Sequence, residues 1–169
     1  MPVRRVTDPS DLGTAPNVPE FADFDHEAHV RRALDLARAA ADRGDDPFGS
    51  VLVRDDAVVA EAMNAVVTEA DVAEHPELAL ARRAPREFDR VDDLVMYTST
   101  EPCPMCAGGM YHAGLRAVVY ATGAERLADL RGGDLVCPSP TVFDRGTDPV
   151  VVAGPVLPEA GDAVHEECW

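Results

Sequence analysis

The sequence has 169 residues, which is enough for one domain with a buried core. Its 31 acidic residues outnumber 15 basic residues, all of them arginine, and the formal net charge is −16. This charge argues against a nucleic acid partner, because phosphate binding depends on Lys and Arg, although a lysine-free acidic surface is also typical of halophilic proteins, whose molar salt screens charge.

Residues 1–22 contain prolines and acidic residues but no apolar period, which predicts a flexible leader before a single domain over residues 23–169. The leader lacks the apolar core of a secretory signal, and no run reaches the roughly 18 to 20 apolar residues of a membrane span. Four cysteines make a poor disulfide framework for this length. We therefore expect a cytoplasmic protein with reduced thiols and no membrane contact.

The first part of the domain predicts one helix and two strands. From Asp25, apolar residues recur at helical spacing and stop at Gly44. The runs FGSVLV and AVVAEAMNAVV are rich in β-formers and are separated by RDD, which indicates a hairpin.

The rest of the domain alternates helices and strands. A second helix begins at Pro76, with His75 as its cap and Glu77 in its first turn. The strand LVMYTS, a helix from Pro104 and the strand RAVVYAT together predict a parallel crossover. The remaining segments are a helix over Glu125–Leu130, a loop over Gly132–Pro140, a strand PVVVAG and a closing helix to Trp169.

Four residues carry the chemical signal: His75 and Glu77 in H-x-E, and Cys103 and Cys106 in P-C-x-x-C. This combination is typical of zinc deaminases. One imidazole and two thiolates give zinc three ligands and leave a position for a water that ionises near neutral pH. Both motifs begin predicted helices, whose N-termini favour thiolates.

Glu77 has a separate predicted role. Zinc bound by sulfur and imidazole rarely adds a carboxylate, so Glu77 is better placed beside the water. There it would take the proton of the nucleophile and pass it to a ring nitrogen and then to the leaving amine. The sequence therefore predicts hydrolytic deamination.

Other interpretations of the cysteines stay open. A C-x-x-C pair also occurs in redox proteins, but without a partner H-x-E. A structural zinc site would need a fourth ligand, for which Cys137 is the internal candidate. His112 is the one other histidine near enough in sequence to support the site.

At these motifs the chain resembles the cytidine deaminase superfamily, in particular its guanine deaminases and tRNA adenosine deaminases; Met96–Thr122 is the most similar stretch. The resemblance implies a three-layer α/β/α sandwich with a mixed, mostly parallel five-stranded sheet, assembled as a homodimer. It implies His75, Cys103 and Cys106 as zinc ligands and Glu77 as the proton shuttle.

The resemblance also implies substrate contacts. Asn64 lies where the family hydrogen-bonds the base, and Phe48, in DPFGSVLV, lies where guanine deaminases stack on the ring. As alternatives, Asn64 is a polar strand end and Phe48 a core residue. Trp169 is either a lid over the site or a packing anchor.

Two features depart from the family. Pro76 replaces the alanine of H-A-E and removes an N–H that relatives point at the substrate, a loss of about 1 to 3 kcal/mol that is enough to change the preference among bases. The acidic residues with which guanine deaminases hold the purine have only Asp129 and Asp134 as candidates.

The resulting function hypothesis is a zinc-dependent deaminase of a free nucleobase or related amino-heterocycle, with guanine the first substrate. A nucleoside or cytosine-type deaminase is the alternative. A tRNA adenosine deaminase ranks lower, because no Lys or Arg follows Gly154. A noncatalytic zinc-stabilised dimerisation module ranks last, because it has no use for Glu77.

Overall fold

The computed structural model describes residues 3–133 and 135–169. The strands are β1 (Val3–Val6), β2 (Gly49–Arg54), β3 (Ala57–Met63), β4 (Val95–Thr100), β5 (Ala117–Thr122) and β6 (Val150–Ala153). They form one six-stranded sheet in the order β1-β6-β5-β4-β2-β3. The first four strands in that order are parallel, whereas β2 is antiparallel to both of its neighbours.

Helices cover both faces of the sheet. The helices are α1 (His26–Asp42), α2 (Val66–Glu69), α3 (Pro76–Glu87), α4 (Pro104–Ala113), α5 (Ala124–Arg131), α6 (Ser139–Phe143) and α7 (Pro158–Cys168). Buried residues of α3, α4 and α6 form one core with alternate strand residues, and buried residues of α1 and α7 form the second core with the others. The inner strands β2, β4, β5 and β6 are buried on both faces, as expected in such a sandwich, and therefore show no alternation of polar and apolar residues.

The predicted α/β/α architecture is confirmed, but the sheet has six strands and not five. The additional strand is β1, which pairs in parallel with β6 and lies inside residues 1–22, the segment predicted as a flexible leader. Residues 1 and 2 lie outside the described part of the chain. A four-residue edge strand gives little local signal, since its pairing partner is far away in sequence.

Two short helices also correct the sequence prediction. The run AVVAEAMNAVV was predicted as one strand, but the strand ends at Met63, and the last two valines of the run begin α2. The predicted loop Gly132–Pro140 gives way to α6 at Ser139. The predicted hairpin is confirmed, because Asp55 and Asp56 adopt positive φ between β2 and β3.

Every helix among residues 3–133 and 135–169 is too short or too polar to cross a membrane.

Gly49 fixes how closely α1 approaches the start of β2. A Cβ atom at this position would meet the carbonyl oxygen of Ala33, and would lie 2.6 Å from both the Ala37 nitrogen and the Leu36 Cβ. Because the first two are main-chain atoms of α1, the helix itself must shift to admit a side chain.

Gly49→Ala is therefore expected to lower the free energy of unfolding by about 2 kcal/mol, within the range for overpacked cores. Urea denaturation measures this. Gly108→Ala is the matched control, because nothing lies within 4 Å of the corresponding Cβ in α4. The control should leave stability unchanged or raise it by up to about 1 kcal/mol. Equal effects of the two substitutions would contradict the packing argument.

Candidate metal centre and active site

Three side chains converge where α3 and α4 begin. His75 is the residue immediately before α3, Cys103 is the residue immediately before α4, and Cys106 lies in the first turn of α4. Both helices start with a proline, which suits the first helical position because no N–H is needed there. The Nδ1 atom of His75 lies 3.7 Å from the Cys103 sulfur and 3.6 Å from the Cys106 sulfur.

These atoms form a possible metal site, since one ligand atom from each residue lies within 4.8 Å of the other two. A hydrogen bond from the Cys106 thiol to the Cys103 sulfur lowers the pKa of Cys103 to about 4 and, together with burial, raises the pKa of Cys106. Hydrogen bonding to Cys103 also raises the pKa of His75. A dication would replace the protons that these donors share, and this donor set fits zinc.

Glu77 lies beside this group and is buried, with 5% of its surface exposed. Its Oε1 accepts a hydrogen bond of 2.8 Å from the Thr98 hydroxyl, which in turn accepts one of 2.8 Å from Ser50. Burial raises the pKa of Glu77, and the Thr98 hydrogen bond opposes that rise. A carboxyl group held with a raised pKa next to a metal site suits proton transfer.

Asn64 and Phe48, the predicted substrate residues, are adjacent. The Asn64 N–H donates to the Phe48 carbonyl at 2.9 Å, and the next N–H, of Ala65, donates to the Glu74 carbonyl beside the metal-site residue His75. Asn64 is 1% exposed, and its side-chain oxygen accepts from the Val66 N–H at 3.0 Å. That bond identifies the other side-chain atom as the amide nitrogen, a donor.

Pro76 occupies the first position of α3 and is buried. It causes no break in the helix, as expected for a proline at this position. Its ring supplies no N–H to the site.

The C-terminal residue Trp169 packs against Phe48, with ring centroids 5.5 Å apart and the rings nearly perpendicular. His165 lies 5.6 Å from Phe48 and 5.8 Å from Trp169, and the Arg131 guanidinium lies 6.0 Å from the Trp169 ring. Trp169 is nevertheless 49% exposed. The closing helix thus ends beside a residue predicted to line the substrate pocket.

The remaining candidates are not brought into the group of three ligands. His112 is exposed in the last turn of α4, whereas the cysteines lie at its start. Cys137 lines a cavity next to Cys103 but is outside that group among the described residues. Asp129 lies near the end of α5, and Asp134 lies outside the described residues.

Sequence reasoning missed the partners that hold the site. Thr98 and Ser50 face each other across β4 and β2, so their contact with Glu77 depends on strand register. Glu101 contacts residues that follow it by more than twenty positions, Ala124 and Ser139. Its place next to the cysteine motif was visible, but its partners were not.

A scan against protein families supplies the identification. Residues 24–132 match the model of the MafB19-like deaminases, a stretch that contains all four motif residues. The chain belongs to this family. Deaminases are hydrolases that act on C–N bonds, and the relatives of this deaminase confirm the predicted place in the cytidine deaminase superfamily.

Three curated relatives are named for different deaminase substrates. The guanine deaminase of Bacillus subtilis is 42% identical over 101 residues, which are 58% of this chain and 65% of that protein. The probable cytosine deaminase of Schizosaccharomyces pombe is 29% identical over 148 residues, covering 84% and 91%. The tRNA-specific adenosine deaminase of Haemophilus influenzae is 35% identical over 112 residues, covering 61% and 64%.

Solved structures agree on the fold. The guanine deaminase of Bacillus subtilis aligns with a TM-score of 0.60 and 38% identity over 66% of this chain and 73% of that one. The protein NE0047, solved with 2,6-diaminopurine, aligns with a TM-score of 0.70 and 26% identity, covering 84% and 80%. A guanine deaminase from Nitrosomonas europaea aligns with a TM-score of 0.73 over 92% of this chain and 93% of that one. At 23% identity, it supports the fold alone.

Proposed function

We propose that this protein is a zinc-dependent hydrolytic deaminase of a free nucleobase, with guanine the first candidate. The observation that carries the proposal is the convergence of His75, Cys103 and Cys106 beside the buried carboxyl group of Glu77. Zinc held by these three ligands would supply a water that is nucleophilic near neutral pH. A redox pair would need neither the imidazole nor the carboxyl group.

Glu77 moves the protons of the reaction. As a carboxylate it accepts a proton from the water that attacks the amino-bearing ring carbon. It returns that proton to the ring nitrogen. It then takes the proton of the hydroxyl group now bound to the ring carbon and gives it to the amino group, so that ammonia leaves as the ring carbonyl forms. The Thr98 hydrogen bond holds the carboxylate in place during both transfers.

A small substrate is supported by two kinds of observation. The net charge of −16 disfavours a phosphate backbone. Related structures were solved with free nucleobase analogues, 2,6-diaminopurine and 8-azaguanine. The guanine deaminase of Bacillus subtilis supports guanine, and the Schizosaccharomyces pombe relative, which spans more of this chain, supports cytosine as the second candidate.

The substrate contacts of the proposal follow from the chemistry available. Asn64 offers its side-chain N–H groups, which bind a ring nitrogen or carbonyl oxygen of the base. Phe48 offers an aromatic face for stacking. Pro76 offers no donor, so a base held in relatives by that N–H loses one hydrogen bond here. We further propose a homodimer, which light scattering of the purified protein tests.

The function is tested by ammonia release from zinc-loaded protein in high salt. The panel contains guanine, cytosine, isocytosine, adenine, aminotriazines and the corresponding nucleosides. Turnover of guanine supports the proposal in full, and turnover of cytosine alone replaces guanine by the second candidate. If the zinc-loaded protein releases no ammonia from any compound of the panel, the proposal of a small-base deaminase is refuted.

Thr98→Val is expected to shift the acidic limb of the rate profile towards higher pH. Losing the hydroxyl donor removes the contact that opposes the burial-induced rise in the Glu77 pKa, so less carboxylate is present at a given acidic pH. The rate on that limb should fall about tenfold, as expected for one hydrogen bond to a charged group. Thr98→Ser keeps the hydroxyl and serves as control. Superimposable profiles of the two variants would contradict this role.

A further inference from the structure

Glu101 is a buried acidic residue between β4 and Cys103, and the chemistry above does not use it. It is 8% exposed. Its Oε2 accepts from the Ala124 N–H at 2.8 Å, and its Oε1 accepts from the Ser139 N–H at 2.8 Å and from the Ser139 hydroxyl at 2.9 Å. Each of these contacts requires a carboxylate oxygen to accept.

The two helices that Glu101 contacts lack caps of their own. Gly123 precedes α5 and Pro138 precedes α6, and neither residue provides a side-chain hydrogen bond to its helix. A helix start leaves N–H groups without partners, and an acceptor there is stabilising. One carboxylate therefore caps both helices and ties their starts together.

The chain between these two caps lies next to the metal centre. We call residues 123–133 and 135–139 the α5–α6 segment. Glu101 accepts hydrogen bonds at both of its ends, from Ala124 and from Ser139. A cavity of about 100 Å³ lies between this segment and Cys103. Its lining on the segment side is largely apolar and includes Ala124, Leu127, Ala128, Leu135, Val136 and Cys137.

We propose that Glu101 is a positioning residue of the deaminase: its carboxylate holds the α5–α6 segment beside the metal-ligating loop, where the segment forms one wall of the substrate pocket. That this pocket binds a substrate rests on the proposed function. The clasp, by which we mean the hydrogen bonds of Glu101 to Ala124 and Ser139, does not depend on turnover. The main chain of Glu101 is two residues from Cys103, so the same residue sets both the ligand loop and the wall. Glu101 does not touch the reacting atoms.

Glu101→Gln tests the clasp, because an amide nitrogen cannot accept the hydrogen bond from one of the two helix starts. Zinc-loaded wild type and variant are treated with a maleimide, and labelling is followed by peptide mass spectrometry. Cys137 on the segment is the reporter, and Cys168 at the end of α7 is the internal reference. We expect Cys137 to react about fivefold faster in the variant, the lower end for a buried group that loses a partner.

Kinetics of the same samples test the wall. A displaced wall weakens substrate binding, so KM should rise about fivefold with a smaller change in kcat and unchanged zinc content. Asp25→Ala is the matched control, since it removes the cap of a different helix, α1. The Asp25 carboxylate accepts a hydrogen bond of 3.0 Å from the Ala28 N–H. The control should lower the unfolding midpoint without changing KM or the reactivity of Cys137.

Ser139→Ala removes only the hydroxyl contact and should show the same pattern at smaller amplitude, so it replaces Glu101→Gln if that variant fails to fold. Unchanged Cys137 reactivity would refute the clasp. Faster labelling with wild-type KM would refute the wall. A wild type without turnover on any base would instead refute the proposed function, while the labelling result would still decide whether Glu101 holds the segment.

Discussion

Glu77→Ala is expected to lower kcat about a thousandfold, within the range for loss of general acid–base catalysis, while zinc stays bound. The three proposed metal ligands are other residues, so removing this carboxyl group leaves the imidazole and both sulfurs in place. The proton of the attacking water then has no acceptor, and the leaving amino group has no donor. Ammonia release and zinc content, measured on the same preparation, give both readouts.

Glu74→Ala is the matched control for this experiment. Glu74 lies one residue before His75, its carboxylate lies 3.4 Å from Arg82, and its side chain is 31% exposed. It should retain wild-type kcat. Loss of zinc from Glu77→Ala would instead make Glu77 part of the metal shell, and retained turnover would remove it from the reaction.

The same substitution also has a consequence for stability. Burial raises the pKa of Glu77, so the folded protein disfavours the carboxylate. A raised acid pKa contributes stability below the unfolded value, and this contribution is lost as the pH rises through the folded value. In the metal-free protein at pH 7, the alanine variant should therefore unfold at the same temperature as wild type or higher, as is common when a catalytic group is removed.

Local signals explain why the two helix starts that carry the proposed metal ligands were predictable. Pro76 and Pro104 each mark the first residue of a helix, and the preceding residues, His75 and Cys103, are the caps that the structure shows. The spacing of Cys106 from Cys103 places it one turn further along. That these two helix starts meet in space came from the family resemblance, since no periodicity relates α3 to α4.

Contacts between distant segments were not predictable. The link from Ser50 through Thr98 to Glu77 exists because β2 and β4 pair in one register, which a single sequence does not define. The caps that Glu101 supplies to α5 and α6 replace caps that Gly123 and Pro138 cannot provide. A search for local capping residues therefore finds nothing at these two helix starts.

The short elements were missed for a related reason. β1 has four residues and exists through pairing with β6, and α6 has five residues. Neither is long enough to show a period, and the stability of such elements comes from the surfaces they join. The long helix α1, with its Asp25 cap, shows the opposite case and was predicted within two residues at each end.

His165 is expected to make the folded state less stable as the pH falls from about 6.5 to 4. It is fully buried in α7, and its Nε2 lies 2.8 Å from the Thr100 hydroxyl. Burial lowers its pKa to about 4, with Asp162 raising it and Arg131 lowering it further. In that window the unfolded chain binds a proton that the folded protein excludes, so stability decreases on acidification, by about 3 kcal/mol in total.

Urea denaturation between pH 4 and 7 measures this loss in wild type, His165→Gln and His112→Gln. The glutamine at position 165 removes the titrating group and should flatten the profile, whereas exposed His112 should leave it unchanged. Parallel profiles for all three would show that His165 does not carry the effect. Because α7 brings Trp169 against Phe48, the same protonation should loosen the C-terminal side of the site before the whole chain unfolds, and Trp169 fluorescence should change at a lower urea concentration than circular dichroism near pH 4.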